Sequence, residues 1–136
     1  MEFRVRYVET DQMGVVHHAS YLDWLEEGRM DYMRKRGLSY AKIEEMGFFL
    51  PVVECKVRYL ASARFEQELV LFSWIKEIQP LLALFAYRLE DKASGQLLLT
   101  GHTKHVCVTR SGEVQEIPHV WVESLAPGLL GSFDLS

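Results

Sequence analysis

Hydrophobic and polar residues alternate at the start of the chain, and this period of two predicts a β-strand. Phe3, Val5 and Tyr7 would face one side of a sheet and the residues between them the other. A second alternating stretch, 53–59, predicts another strand. Apolar stretches predict three further strands at 69–76, 81–90 and 96–108. The middle one is almost entirely apolar, which favours a position at the centre of the sheet or at an interface.

One long helix is predicted over residues 20–36, because apolar residues recur there at helical spacing. Ser20 stands where the helix should be capped, and Gly37 stands where it should end. Gly28 lies inside this helix, where glycine costs about 1 kcal/mol relative to alanine, so we expect close packing against the sheet. The apolar positions are Tyr21, Trp24, Leu25, Gly28 and Tyr32.

Shorter elements fill the remainder of the chain. A second helix is predicted over 39–46, before Gly47, and a third begins at Pro118 and runs through Leu125. One long helix followed by several strands predicts an α+β fold, in which the helix lies on one face of an antiparallel sheet. Turns or irregular segments are predicted at 91–95, 111–112 and 127–131.

Length and composition indicate one ordinary domain, 1–136, with no repeat or linker. The net charge of −4 argues against a nucleic-acid partner, which usually selects a basic surface. The first residues do not form a signal peptide, and no apolar run reaches transmembrane length. We therefore expect a cytoplasmic protein that does not enter the membrane. Cys55 and Cys107 lie in apolar alternating runs and are interpreted as reduced thiols in the core.

The most informative stretch is 7–29, YVETDQMGVVHHASYLDWLEEGR, which runs from a predicted strand through a loop into the long helix. It places the carboxylate of Asp11 just before a helix N-terminus. Such a terminus has unpaired N–H groups and the positive end of the helix dipole. Acyl-transfer chemistry uses this combination, because one group attacks the carbonyl or activates water while N–H donors bind the developing oxyanion.

The same stretch carries the pattern T-D-x-M-G-V-V-x-H-x-x-Y-L-x-W-x-E-E-G-R. This pattern resembles the signature of the hotdog-fold acyl-CoA thioesterases of the 4-hydroxybenzoyl-CoA thioesterase/YbgC type. The resemblance is close over 4–37 and looser to about Val108. It implies a hotdog fold, in which the sheet wraps one central helix and two subunits join their sheets. It also implies an enzyme that hydrolyses acyl-CoA to free acid and CoA, without a metal or redox cofactor.

Two residues of the pattern carry the implied chemistry. Asp11 matches the family's catalytic carboxylate. Because a carboxylate is a weak base, direct attack on the thioester to give a mixed anhydride and activation of water both stay open. His18 matches the position whose backbone N–H contributes to the oxyanion hole, and its ring is a secondary substrate contact. His17 is interpreted as a partly exposed loop histidine.

The resemblance also implies a set of substrate contacts. Tyr21 either shapes the acyl pocket or simply belongs to the core. Glu26 is an alternative catalytic acid, because another thioesterase branch carries its acid on the helix. A solvated Glu26, or one paired with Arg29, is the favoured interpretation. The implied substrate-binding residues are Gly14, Val15, Val16, Tyr21 and Glu26.

The histidines do not predict a metal site. His102 and His105 are three residues apart in a predicted strand, so their side chains should point to opposite faces. Coenzyme A needs cations for its phosphates, yet segment 78–81, which matches a basic cluster in the founding hydroxybenzoyl enzyme, is uncharged. Alternative cations are Arg58, Arg64 and Lys104, although a solvated strand face also accounts for each of them.

A second hypothesis is a hotdog protein that binds acyl-CoA or an acyl carrier protein without turnover. A dehydratase of the same fold would need a catalytic histidine in a different motif, which the sequence does not contain. The apolar strand at 81–85 and the open edges of a small sheet predict a homo-oligomer. The resemblance implies a homodimer, or a homotetramer made of two dimers, with sites at the interface.

Overall fold

The computed structural model describes residues 1–126. The elements in chain order are β1 (Glu2–Arg4), a 3₁₀ turn (Tyr7–Glu9), α1 (His18–Lys35), α2 (Tyr40–Glu45), β2 (Phe48–Phe49), β3 (Val52–Tyr59), β4 (Glu68–Gln79), β5 (Leu82–Asp91), β6 (Leu97–His105), β7 (Cys107–Thr109), β8 (Val114–Gln115) and α3 (His119–Leu125). Within this range one antiparallel sheet has the strand order β1-β4-β5-β6-β3, and a smaller one has the order β2-β7-β8. The α+β layout predicted from the sequence is confirmed.

The long apolar strand lies at the centre of the large sheet, as predicted. β5 pairs with β4 on one side and with β6 on the other. Its side chains Phe85, Tyr87 and Leu89 are each 1% exposed. They belong to one hydrophobic core together with the buried face of α1. Burial of this shared core therefore positions α1 against the sheet.

Gly28 explains how closely α1 approaches the sheet. A Cβ atom at this position would lie 2.5 Å from Leu71 Cδ2 and 2.6 Å from Ser73 Oγ, both on β4. These distances are shorter than real carbon contacts, so a larger residue would push the helix or the strand away. The expected close packing at Gly28 is confirmed.

The predicted start of the long helix is wrong by two residues. The helix begins at His18, and His17 rather than Ser20 occupies the cap position, with φ −66° and ψ 142°. The His17 side chain makes no capping hydrogen bond. Instead, the backbone N–H of His17 donates to the Glu9 carbonyl at 2.9 Å, which holds His17 extended at the point where the helix begins.

The first strand is also shorter than predicted. β1 ends at Arg4, and Tyr7 lies in the 3₁₀ turn with 79% of its surface exposed. Helix ends follow the sequence more closely. Gly37 has φ +82°, the left-handed conformation that ends α1, and the Leu38 N–H donates to Met33 O at 3.1 Å. Ser39 caps α2 by accepting a hydrogen bond from the Lys42 N–H.

The single long strand predicted over 96–108 is two strands. β6 ends at His105 and β7 begins at Cys107, because the Val106 N–H turns to the Pro51 carbonyl. β7 then pairs with β2 and β8 in the small sheet. The glycine-containing turns at 91–95 and 111–112 are present, whereas the irregular segment predicted at 127–131 lies outside the described residues.

The two cysteines differ in environment. Cys107 is fully buried, as predicted, and Cys55 is exposed, so its assignment to the core was wrong. Cys55 lies on β3, which stands at the edge of the large sheet and is exposed at most of its positions. Both thiols are free. No helix within residues 1–126 has the length and apolar character needed to cross a membrane.

Candidate active site

The loop before α1 is closed by backbone pairing, which brings Asp11 and the start of the helix to one end of the molecule. Thr10 and Val16 form an antiparallel bridge, and the Asp11 N–H donates to the Val15 carbonyl at 2.9 Å. The hydrogen bond between Asp11 and Val15 lies two residues from the one between Glu9 and His17. Two residues correspond to about 7 Å along the paired segments. Gly14 makes the turn with φ +74°.

The carboxylate of Asp11 is exposed and held by its own loop. Its Oδ1 atom accepts hydrogen bonds from the backbone N–H of Met13 at 2.8 Å and of Val15 at 3.2 Å. Its Oδ2 atom accepts none from the described residues. The bonds to Oδ1 fix the orientation of the group, and the lone pairs of Oδ2 stay available.

The N-terminus of α1 presents donors beside this loop. Among residues 1–126, no group accepts a hydrogen bond from the backbone N–H of His18 or Ala19. The helix dipole places partial positive charge at the same point. Two free N–H groups at the positive end of a helix can bind an oxyanion. The His18 ring stacks on Tyr59 of β3, with centroids 4.6 Å apart and planes inclined by 15°.

A second backbone segment holds the loop from the other side. The Val16 N–H donates to Ala63 O at 3.0 Å, Val15 forms a bridge with Arg64, and the Phe65 N–H donates to Gly14 O at 3.0 Å. The Val16 side chain is buried in the core, whereas Gly14 and Val15 are partly exposed. These three candidates therefore lie together, with their backbones engaged in fixing the loop.

Tyr21 lies in the core, and its hydroxyl already has a partner. The side chain is 2% exposed, and the hydroxyl oxygen accepts a hydrogen bond from the Ala63 N–H at 2.8 Å. Its ring packs edge-on against Tyr59, 5.2 Å away between centroids. Tyr21 thus joins α1 to the segment that holds the loop before α1.

Glu9 is a buried neighbour of the candidate site that the sequence reasoning missed. It is buried, and its carboxylate accepts hydrogen bonds from the Arg6 N–H at 2.8 Å and from the Trp24 indole N–H at 2.6 Å. Burial alone would raise the pKa of this carboxyl, but the hydrogen bonds from Arg6 and Trp24 hold the pKa below its usual value. The sequence feature that could have indicated this contact is Trp24, because the indole N–H of a buried tryptophan needs an acceptor.

A cavity of about 270 Å³ runs along α1 between the helix and the strands β3 and β6. Glu26 lines it and is exposed. Within the described part of the chain Glu26 forms no ion pair with Arg29, so the pairing considered from the sequence is not present. The lining residues are Leu22, Asp23, Leu25, Glu26, Arg29, Val52, Cys55 and Thr103.

The deep end of this cavity contains a polar network that the sequence reasoning did not anticipate. Arg29 is 6% exposed, and its Nη1 donates to the Tyr87 hydroxyl at 3.2 Å. Tyr87 bonds to Thr103 Oγ1 at 2.7 Å, and Thr103 bonds to His105 Nε2 at 2.7 Å. His105 Nδ1 lies 3.1 Å from the Leu50 carbonyl oxygen. Burial and the Arg29 charge lower the pKa of His105 to about 4, so its ring is neutral at pH 7.

The remaining candidates from the sequence lie apart from this site. His102 faces the outer side of β6 and is partly exposed, whereas His105 is buried on the inner side, as the spacing predicts. Among residues 1–126 no three His, Cys, Asp or Glu side chains lie together in a potential metal site. Lys104 is paired with Glu54 at 2.9 Å, and Arg58 and Arg64 are exposed.

The thioesterase-like superfamily model matches residues 5–125. The chain belongs to the thioesterase-like superfamily. It is 34% identical over 109 residues to the putative acyl-CoA thioesterase YneP of Bacillus subtilis, covering 80% of this chain and 78% of that protein. It is also 28% identical to the acyl-CoA thioesterase YbgC of Haemophilus influenzae, covering 84% of this chain and 82% of YbgC.

Solved structures agree with this membership. A hypothetical protein from Thermus thermophilus, TT1821, has a TM-score of 0.87 at 38% identity, covering 93% of this chain and 96% of that one. The DHNA-CoA thioesterase from Staphylococcus aureus has a TM-score of 0.85 at 29% identity, covering 97% and 92%. The structural neighbours are hotdog-fold thioesterases, and the hotdog fold predicted from the sequence is confirmed.

Proposed function

We propose that this protein is an acyl-CoA thioesterase, which hydrolyses an acyl-CoA to a free acid and CoA. One observation carries the proposal: an Asp11 carboxylate oxygen without a partner among residues 1–126 lies on the closed loop that leads directly to the free N–H groups at the start of α1. The names of YneP, YbgC and the DHNA-CoA thioesterase support the acyl-CoA substrate.

Asp11 and His18 divide the chemistry between them. When the thioester carbonyl approaches the start of α1, the His18 N–H binds the oxygen on which negative charge develops. Loss of such a donor typically costs about 2.7–4 kcal/mol of barrier. Asp11 either attacks the carbonyl carbon to give a mixed anhydride, which water then hydrolyses, or removes a proton from the attacking water. In both routes the C–S bond breaks and CoA leaves as the thiol after taking up a proton.

The other candidates position these two groups and the acyl chain. Gly14, Val15 and Val16 keep the loop in register with segment 63–65, so that Asp11 stays beside the helix. Glu26 contacts the acyl group in the cavity along α1. Tyr21 supports the substrate site from the core, where its hydroxyl accepts the Ala63 N–H.

We further propose that the protein acts as a homodimer or homotetramer. β3 is an edge strand that pairs with β6 on one side only within the described residues. Its Val52, Val53 and Tyr59 side chains are 41–55% exposed in the single chain. Open backbone groups beside exposed apolar side chains favour pairing with a second copy.

The test is release of free thiol from short, long and aromatic acyl-CoAs by the wild-type protein. Hydrolysis of at least one of them well above the uncatalysed rate supports the proposal. The competing hypothesis is a protein that binds acyl-CoA without turnover, and native mass spectrometry separates the two. A stable complex with intact acyl-CoA and no release of CoA across the whole panel rejects the enzyme and favours the binding protein.

A further inference from the structure

Arg29 carries a buried positive charge that no carboxylate neutralises among residues 1–126. The residue is only 6% exposed, and it takes part in no ion pair within the described residues. Its Nε atom is buried and has no hydrogen-bond partner there. Burying a charge without a partner is costly, and buried charges in proteins are normally paired. A negative group bound to the guanidinium would therefore offset the cost of burying its charge.

The polar network behind Arg29 does not supply that group. His105 Nδ1 faces a carbonyl oxygen and must donate to it, so Nε2 accepts from the Thr103 hydroxyl. Thr103 then accepts from the Tyr87 hydroxyl, whose oxygen accepts from Arg29 Nη1. Each hydrogen bond in this network is therefore donated in the direction away from Arg29, and every group in the network except Arg29 is neutral. The network fixes the orientation of the guanidinium and leaves its charge uncompensated.

Arg29 is one of the residues that line the cavity along α1. Arg29 and Thr103 line the deep end of the cavity along α1, and Leu22, Leu25 and Val52 contribute apolar walls. His18 and Arg29 are eleven residues apart, which is about 16 Å along a helix axis. Helical side chains lean toward the N-terminus, so the guanidinium is about 10 Å from the start of α1 along the axis. An acyl group held at His18 and lying along α1 reaches it.

We propose that this cavity selects acyl groups that carry a carboxylate at the end remote from the thioester, and that Arg29 binds this carboxylate. The inference rests on the proposed thioesterase function and names its substrate class. Arg29 Nη1 is taken by Tyr87, whereas Nε and Nη2 donate to no described residue. These two donors form the side edge of the guanidinium, which matches the two oxygens of a carboxylate.

A full negative charge fits the site better than a neutral end group. A hydroxyl or ester would leave the Arg29 charge uncompensated, as the Tyr87 hydroxyl already does. Asp23 and Glu26 also line the cavity, but both are exposed at its mouth, where water and salt weaken their repulsion. A carboxylate that enters passes these groups and reaches a buried cation, where the interaction is much less screened.

The experiment compares suberoyl-CoA with its neutral methyl ester, which has the same chain length along the cavity. We expect kcat/KM of the wild-type protein to be at least tenfold higher for the free acid than for the ester. Hydrogen bonds to charged groups typically change binding by about this factor or more. Arg29→Gln should reduce this ratio to about one or below. Arg34→Gln, which removes an exposed arginine at the far end of the same helix, should leave the ratio unchanged.

A ratio near one in the wild-type protein, or a preference that survives Arg29→Gln, overturns the inference while leaving the thioesterase function in place. If no acyl-CoA is hydrolysed at all, the proposed function itself fails, and the binding of free octanoate and neutral octanamide to the wild-type protein then decides the inference. Tighter binding of octanoate by at least tenfold supports an anion site at Arg29. Equal or weaker binding of octanoate overturns it. The binding comparison also applies if Arg29→Gln does not fold.

Discussion

The indole N–H of Trp24 donates a 2.6 Å hydrogen bond to the buried carboxylate of Glu9. Trp24 lies on α1, and Glu9 lies at the start of the loop that carries Asp11. The backbone carbonyl of Glu9 also accepts from the N–H of His17, the residue at the cap of the helix. Glu9 therefore attaches the loop that carries Asp11 to the helix through its side chain and its backbone.

Replacing Glu9 with Gln should loosen this attachment. The amide keeps the size of the side chain but loses the charge that strengthens the bonds from Trp24 and Arg6. We expect a loss of about 1–3 kcal/mol in the free energy of unfolding, measured with urea, together with a lower kcat/KM. The control is Glu45→Gln, an exposed acid at the end of α2, which should change neither quantity. Unchanged stability of the Glu9 variant would show that the buried contact is not a significant anchor.

Gly28→Ala should destabilise the packing of α1 on β4. The added methyl would lie 2.5 Å from Leu71 Cδ2 and 2.6 Å from Ser73 Oγ. Overpacking of this kind typically costs about 1–3 kcal/mol, which exceeds the helix propensity that alanine gains. The double variant Gly28→Ala/Ser73→Gly removes one of the two obstructing atoms and should recover part of the loss. Equal or greater thermal stability of Gly28→Ala would contradict the close approach.

Acid should destabilise the protein through His105. Its pKa is about 4 in the folded chain, against 6.5 for an unperturbed histidine, because of burial and the nearby Arg29 charge. Between pH 6.5 and 4, His105 is protonated in the unfolded chain but not in the folded chain, so the free energy of unfolding falls as the pH decreases through this range. The full effect is about 3 kcal/mol.

His105→Gln should flatten the pH dependence of the unfolding free energy between pH 6.5 and 4, whatever its effect on the absolute value. Other groups contribute little to this slope. The pKa values of the Glu9, Asp31 and Asp91 carboxyls are lowered in the folded chain, so the stability that they contribute is lost only below about pH 4.5, outside most of this window. A variant with the same slope as the wild type would assign the acid sensitivity to other groups.

The exposed edge of β3 predicts self-association. Light scattering should give the mass of a dimer or a tetramer at working concentration. Val53→Lys, on this edge, should shift the mass toward the monomer because a charge opposes edge-to-edge pairing. Val114→Lys is the matched control, since Val114 on β8 is exposed to a similar degree, 58% against 55%. A monomeric wild-type protein would contradict the proposed assembly.

Local patterns predicted the elements of the fold well, because period and turn chemistry act over short distances. The apolar stretch 81–90 became the central strand, and Gly28 and Gly37 have the roles expected of them. The start of α1 was misplaced because the His17 N–H is fixed by Glu9, a contact that depends on how the loop closes. The edge position of β3 was equally hidden, because alternation predicts a strand over 53–59 but not its place in the sheet.

The candidate site was predicted in outline only. The pattern around Asp11 and His18 shows which residues stand close along the chain, and the structure adds the hydrogen bonds that orient them. The buried groups at Glu9 and Arg29 were missed because their partners, Trp24 and Tyr87, lie 15 and 58 residues away. Long-range polar contacts leave no periodic signal in a single sequence.

Asp11→Asn tests the central claim most directly. Asparagine keeps an oxygen that accepts from the Met13 and Val15 N–H groups, so the loop should hold its shape, while the negative charge is lost. Glu27→Gln, an exposed acid on α1, is the matched control. With the best acyl-CoA of the panel, we expect kcat of Asp11→Asn to fall at least 100-fold and that of Glu27→Gln to stay within about twofold of the wild type. Undiminished hydrolysis by a folded Asp11→Asn protein would contradict the account.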